Sequence, residues 1–143
     1  MPNDLPADFL TGHRKIDADH RKMYVGIRRL VSSVESSEDR VEWERQLNNL
    51  IATTWAHFAY EEKVMIHQKD GAHVFLHQME HVKLIEELMH VKERLANESS
   101  EQLFNLRELL DYWLRDHIDN FDRTLVAMLV PAGPILTTDI PLF

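Results

Sequence analysis

The sequence predicts an all-α protein, with an antiparallel up-down-up-down four-helix bundle over residues 1–131 and a short tail over 132–143. Three observations predict this class. Apolar residues recur at spacings of three and four in four long segments, which is the period of one helix face. The breaks between these segments are short, so neighbouring helices run antiparallel. Only four glycines and five prolines occur in 143 residues, too few for the turns of a many-stranded fold.

The first two predicted helices span about residues 16–34 and 39–67. The apolar stripe of the first helix consists of Ile16, Met23, Ile27, Leu30 and Val34. The stripe of the second helix includes Leu47, Leu50, Ile51, Thr54, Phe58, Val64 and Met65. Ser36, with Asp39 three residues later, predicts the N-terminal cap of the second helix.

The third and fourth predicted helices span about residues 72–96 and 100–130. Their stripes consist of Val74, Leu84, Leu88, Val91 and Leu95, and of Leu103, Leu106, Leu110, Trp113, Phe121, Leu125 and Met128. Asp70 is expected to cap the third helix, and Ser99 with Gln102 the fourth. Pro131 stops the last helix, and we expect the Pro-broken apolar tail to pack on the bundle or on a partner.

Composition excludes several classes of function. The formal net charge of −8 argues against nucleic acid and anionic membranes, because both attract a positive surface. The absence of cysteine excludes disulfide scaffolds, thiolate zinc sites, Fe–S clusters and cysteine nucleophiles. We find neither a secretory signal nor an apolar run of 18 residues, so we expect a soluble cytoplasmic protein that does not insert into membranes.

Nine histidines are unusual for a chain of this length, and they fall into two sets. Five of them and one glutamate fill the gaps in the apolar stripes: His20, His57, Glu61, His77, His81 and His117. The other four fall off the stripes or precede a helix, and we expect them at the surface or in loops: His13, His67, His73 and His90. His73 lies four residues before His77, so it offers an alternative pair there.

The six stripe residues lie at one end of an antiparallel bundle, so all four helices direct polar side chains into one layer of the core. Burying so many polar groups without partners would cost several kcal/mol each, which predicts a bound ligand. Imidazole and carboxylate without thiolate suit iron, zinc, manganese or copper. A second carboxylate is expected near His117, with Asp116, Asp119 and Asp122 as candidates that spacing alone does not separate. Asp122 is about 140° round an ideal helix from His117, so it would need a bulge or an oblique rotamer.

These residues resemble the hemerythrin family. The pattern consists of Ile16-Asp17-Ala18-Asp19-His20, then His57-Phe58-Ala59-Tyr60-Glu61-Glu62, then His77-x-x-x-His81, and His117-Ile118-x-x-x-Asp122. The resemblance covers about residues 9–130 and is to the single-domain bacteriohemerythrins. It differs in three places. Asp70-Gly71 stands where Tyr-Pro is usual, the interval from Glu61 to His77 is one residue longer than usual, and Asp19 stands where glutamine is frequent.

The resemblance implies a non-haem di-iron centre, bridged by oxo or hydroxo, that binds O2 reversibly. It implies that His77, His81 and His117 hold one iron and that His20 and His57 hold the other. It implies that Glu61 and Asp122 bridge the two ions, and that O2 binds at the two-histidine iron. Five residues would form the apolar O2 pocket: Met23, Phe58, Trp113, Leu114 and Ile118.

The function expected from this resemblance is an oxygen carrier, store or delivery protein, and not an enzyme. The expected partners are O2 and an oxygen-using enzyme or signalling protein. Two alternatives are an O2 or redox sensor that acts through a partner and a di-iron enzyme acting on peroxide or NO. A histidine-rich, carboxylate-poor site favours reversible binding over oxidation.

Overall fold

The computed structural model describes residues 5–68 and 71–129, and these form helices and turns with no strand among them. A 3-10 turn at Ala7–Phe9 precedes α1 (Arg14–Ser36), α2 (Arg40–Met65) and α3 (Gly71–Asn97). The fourth long segment consists of α4 (Leu106–His117), a π-turn (Ile118–Asp122) and α5 (Arg123–Leu129). Helix α1 packs against α2 and α4, and α2 packs against α3. The predicted all-helical bundle is confirmed.

The start of α1 is held by local hydrogen bonds. His13 caps the helix, with Nδ1 accepting from the Ile16 N–H at 3.1 Å. The Asp17 carboxylate accepts from the Thr11 N–H at 2.8 Å and from the Gly12 N–H at 3.0 Å. Gly12 has φ +90°, a left-handed conformation that favours glycine, so the chain can turn here before the helix begins. Hydrogen bonds therefore hold the loop of residues 11–13 against the first turn of α1.

The predicted cap of α2 is wrong by three residues. Ser36 is the last residue of α1, and Asp39 is the N-cap of α2, accepting from the Glu42 N–H at 3.2 Å. The reason is that the chain stays helical through Ser36 and becomes extended only at Ser37. Helix α2 also ends earlier than predicted, at Met65.

The fourth helix begins later than the apolar pattern predicts. The expected bonds between Ser99 and Gln102 are present, at 2.8 Å and 3.2 Å. They close a turn rather than a helix, and α4 starts only at Leu106. Leu103 in this turn and Leu106 at the start of α4 are both buried, so helical spacing of apolar residues continues through a segment that is not α-helical. The predicted Asp70 cap, Pro131 and the tail lie outside the described residues.

Two apolar clusters lie one above the other along the bundle. We call the larger one the main core, and it includes Leu30, Trp43, Leu47, Leu88 and Leu106. Each fully buried side chain of this kind stabilises the fold by about 1.5–3 kcal/mol. The smaller one, the lower cluster, consists of Ile16, Met65, Leu125 and Val126. No helix of the described ranges is long and apolar enough to cross a bilayer.

Candidate metal centre

Between the main core and the lower cluster lies a layer of polar side chains that all four long segments contribute. All seven sequence-predicted ligands lie in this layer, which we call the polar slab: His20, His57, Glu61, His77, His81, His117 and Asp122. None of them is more than 2% exposed. On α1, α2 and the fourth segment the polar residues come between a main-core residue and a lower-cluster residue, as His20 does between Ile16 and Met23. On α3 the partly buried Val74, which packs against the lower cluster, takes the place of the lower-cluster residue. The antiparallel topology therefore assembles the slab at one level.

The slab consists of two groups that share both carboxylates. One group is Glu61, His77, His81, His117 and Asp122, and the other is His20, His57, Glu61 and Asp122. Within each group the potential ligand atoms lie within 4.8 Å of one another. Such a separation suits coordination of one ion per group, so the arrangement fits a binuclear site.

The two oxygens of Asp122 face different groups. Its Oδ2 lies 2.7 Å from His20 Nε2, on the two-histidine side. Its Oδ1 lies 3.1 Å from His77 Nε2 and 2.9 Å from His117 Nε2, on the three-histidine side. One carboxylate can thus serve both groups.

The two oxygens of Glu61 also face different groups. Its Oε2 lies 3.4 Å from His57 Nε2. Its Oε1 lies 3.0 Å from His81 Nε2, 3.6 Å from His77 Nε2 and 3.7 Å from His117 Nε2. All five histidines therefore face the carboxylates with Nε2, which leaves Nδ1 free for outer contacts.

A π-turn selects Asp122 among the three aspartates that spacing left open. The turn over Ile118–Asp122 adds one residue to the helical ladder, with the Arg123 N–H bonding the Ile118 carbonyl five residues back. It thereby brings Asp122 to the face that carries His117. Asp119 instead pairs with Arg123 at 3.0 Å, and Asp116 accepts from the Asn120 amide at 2.7 Å. The bulge that Asp122 was expected to need is present.

Three buried atoms that lie between the histidines and the carboxylates indicate whether a cation fits the slab. His57 Nε2, Glu61 Oε2 and His117 Nε2 have no hydrogen-bond partner among the described residues, although each lies close to other slab atoms. Leaving such groups unsatisfied costs about 1–3 kcal/mol each, and more where they are charged. A cation bound between the nitrogen lone pairs and carboxylate oxygens would satisfy all of them. The donor set of imidazole and carboxylate fits a first-row transition metal.

Without a metal, charge pairing shifts the pKa values of the slab. Burial alone lowers the pKa of His57, but the Glu61 charge, the nearby Asp122 carboxylate and the hydrogen bond with Asp19 raise this pKa well above its usual value. Burial is likewise overcome at His117, where Asp122 raises the pKa well above the usual range, and the pKa of His77 is raised by Asp122 and Glu61.

The two carboxylates shift the other way. Burial and the Asp122 charge raise the pKa of Glu61, but the histidines around it, His57 foremost, hold this pKa well below the usual range. Burial raises the pKa of Asp122, yet His117 and the other histidines hold it well below its usual value. In the metal-free slab these carboxylates therefore favour the charged form of His57, His77 and His117, and a metal ion would replace their protons.

Three further acids support the histidines from outside. Asp19 Oδ2 lies 3.0 Å from His57 Nδ1 and Glu62 Oε2 lies 2.9 Å from His81 Nδ1, both within hydrogen-bond distance. Such partners fix the orientation and tautomer of a metal-binding imidazole. Glu80 Oε2 lies 3.7 Å from His117 Nδ1, too far for a hydrogen bond, and acts on this ring through its charge alone.

The outer acids follow a simple order along the bundle. Each one adjoins a slab residue in its own helix and supports a histidine on the next helix in the chain. Thus Asp19 of α1 reaches α2, Glu62 of α2 reaches α3, and Glu80 of α3 reaches α4. Sequence reasoning noticed Asp19 but missed the roles of Glu62 and Glu80. An acid next to a predicted ligand was the available signal.

The five residues predicted to form the O2 pocket are all buried in the main core. Phe58 stacks on His81 with ring centroids 3.8 Å apart and contacts His57 and His117 at 5.9 Å and 5.5 Å. A cavity of about 360 Å³ between α3 and α4 is lined by Trp113 but by none of the other four. The cavity is thus distinct from the expected pocket.

His13 precedes α1, in the loop as predicted, but it does not lie at the surface. Its side chain is 0% exposed because it caps the helix, and its ring centroid lies 6.3 Å from that of Tyr60. His67 and His90 are exposed, as predicted. His73 is half-buried, with its ring centroid 6.3 Å from that of His77, and belongs to neither group of the slab. The geometry therefore favours the pair His77 and His81.

The fold and the site together define a class, a helical bundle with a cation-binding centre in its core. Residues 11–129 match the family described as Hemerythrin HHE cation binding domain. The chain therefore belongs to the hemerythrin family, in agreement with the resemblance found in the sequence. Comparisons with curated proteins and with solved structures gave no match.

Proposed function

We propose that this protein binds O2 reversibly at two iron ions held by the polar slab. The observation that carries the proposal is the placement of Glu61 and Asp122, each of which presents one oxygen to each histidine group. Family membership supports cation binding, and the donor set of imidazole and carboxylate suits iron as one of several first-row metals. Two iron ions bound there would supply the redox chemistry by which O2 is taken up and released.

The asymmetry of the slab supports a choice of ion for O2. Three histidines and one oxygen from each carboxylate offer five protein ligands on one side. Two histidines and the same two carboxylates offer four on the other side. The ion beside His20 and His57 therefore has one protein ligand fewer, and we assign O2 to that side.

The chain's own residues contribute burial and orientation. Apolar side chains such as Phe58, Leu114 and Ile118 exclude water from the slab, which protects a reactive ligand from protons and hydrolysis. The outer acids Asp19 and Glu62 hold the Nδ1 atoms of His57 and His81, so that each Nε2 faces the ions.

We also infer that the protein acts as a binding protein rather than an enzyme. The slab offers five histidines and only two carboxylates, and such a histidine-rich set favours reversible binding over oxidation. Steady-state assays with peroxide and with NO test this inference. We expect no sustained turnover, and rapid turnover of either compound would favour the enzyme instead.

The test of the O2 proposal begins with metal-free protein loaded with Fe(II) under anaerobic conditions. We expect two iron ions per chain, a visible absorption band when O2 is admitted, and loss of the band when O2 is removed. Irreversible oxidation would contradict the proposal. Glu61→Gln should abolish the band, whereas the matched control Glu44→Gln, which alters an exposed glutamate of the same helix outside the slab, should retain it.

A further inference from the structure

The π-turn that presents Asp122 is followed at once by an arginine with an unusual set of contacts. Arg123 Nε donates to Asp119 Oδ1 at 3.0 Å, within the turn itself. Its Nη1 donates to the Leu10 carbonyl at 2.6 Å, and its Nη2 donates to the Asp8 carbonyl. One rigid guanidinium therefore links the π-turn to two points of the N-terminal segment.

The N-terminal segment is itself anchored to the bundle. Phe9 is buried and contacts Tyr24 of α1 edge to face, with ring centroids 6.0 Å apart. The Asp17 carboxylate holds the next residues, Thr11 and Gly12, against the first turn of α1. The carbonyls that Arg123 binds thus belong to a fixed part of the molecule.

The same helix α1 carries His20, whose Nε2 lies 2.7 Å from Asp122 Oδ2. Arg123 therefore bonds to a segment that is anchored on α1, and His20 meets the carboxylate directly from α1. A π-turn is a short interruption of the regular ladder, and contacts from outside the helix can select it over a continuous α-helix.

We propose that Arg123 is a positioning residue for Asp122. It holds the π-turn against the N-terminal segment and so sets the carboxylate between the two histidine groups. This inference rests on the proposed function in one respect only, the assignment of Asp122 as a metal ligand.

The test compares two methionine variants of the full chain. Arg123→Met keeps an apolar stem and removes the three donated bonds. Arg115→Met is the matched control. Arg115 lies in α4, before the π-turn, and holds the same N-terminal segment through a salt bridge to Asp8 Oδ2 at 2.6 Å and a cation–π contact with Phe9. The two side chains are similarly exposed, at 36% and 45%.

Two measurements are made on each variant. Competition with a chromophoric chelator under anaerobic conditions gives the Fe(II) affinity and stoichiometry. Hydrogen exchange of the metal-free protein reports the opening of the turn without any metal. We expect Arg123→Met to bind Fe(II) about 10-fold or more weakly and to exchange the amides of residues 118–123 about 10-fold faster. Arg115→Met should change both by less than about 3-fold.

The outcomes separate this inference from the proposed function. Equal effects of the two variants, or wild-type exchange of the turn in Arg123→Met, would overturn the positioning role. If wild-type protein takes up fewer than two iron ions, the proposed function fails. Exchange of the turn then decides alone whether Arg123 holds it.

Discussion

The main core and the polar slab are built on the same four segments, yet they bury opposite kinds of side chain. In the main core, residues such as Leu47, Leu88 and Leu106 fill the stripe positions and satisfy one another by packing. In the slab, histidines and carboxylates occupy the same kind of position, and six of their buried atoms lack a hydrogen-bond partner among the described residues. The difference teaches that helical periodicity reports burial, whereas the chemistry at the buried position reports whether a ligand is required.

The first and largest expected effect concerns the main core. Leu88→Ala removes a fully buried side chain and should lower the free energy of unfolding by about 2–5 kcal/mol. Because Leu88 lies outside the slab, the loss should be the same in metal-free and iron-loaded protein. Chemical denaturation of both forms checks this. A loss of stability confined to the loaded form would mean that the main core and the polar slab are not independent.

The second expected effect is the dependence of the slab on pH. In metal-free protein the raised pKa values of His57, His77 and His117 give stability that is complete below about pH 6.5 and is lost as pH rises through the folded values. The lowered pKa values of Glu61 and Asp122 give stability that is complete above about pH 4.5 and is lost on further acidification.

Iron affinity should change with pH in the opposite direction to the stability that the charged histidines give the metal-free protein. The metal needs neutral imidazoles, so its affinity should rise with pH by about tenfold per unit for each proton displaced. Thermal unfolding of loaded and metal-free protein between about pH 6 and pH 8 measures this, and we expect the difference in stability to widen with pH. A constant difference would show that no histidine proton is displaced.

The third prediction concerns the outer acids. Asp19→Asn should weaken Fe(II) binding by about 10–100-fold, equivalent to about 1.4–2.8 kcal/mol, because the charge that orients His57 is lost. Asp111→Asn is a suitable control, since Asp111 pairs with Arg28 and touches no slab residue. Chelator competition gives both affinities. Equal affinities would remove Asp19 from the account of the site.

The smallest expected effect concerns the N-terminal cap of α2. Asp39→Ala removes the side-chain cap of α2 and should lower the free energy of unfolding by about 1 kcal/mol. Iron affinity should remain unchanged, because the cap lies at the opposite end of α2 from His57 and Glu61. Denaturation and chelator competition on one preparation check both parts. A weaker affinity would reveal coupling along the helix.

The predictions from sequence succeeded where the geometry of a straight helix was enough. Spacings of three and four placed His20, His57 and His77 on buried stripes, and the antiparallel order brought them to one level. Spacing could not choose Asp122, because a π-turn shifts the register by one residue. The buried cap His13 was missed because a residue outside a helix has no stripe.

The start of α4 was misplaced for a different reason. Leu103 and Leu106 keep helical spacing while the backbone between them forms turns, so burial alone does not reveal the conformation. The outer acids Glu62 and Glu80 were missed because they act between helices. Their contacts depend on side-chain directions that a pattern along one helix does not contain.

The central claim is that two iron ions share Glu61 and Asp122. Anomalous diffraction at the iron edge, on crystals of the loaded protein, tests this most directly. We predict two peaks between these carboxylates, one beside His77, His81 and His117 and the other beside His20 and His57. A single peak, or peaks away from the carboxylates, would contradict the account.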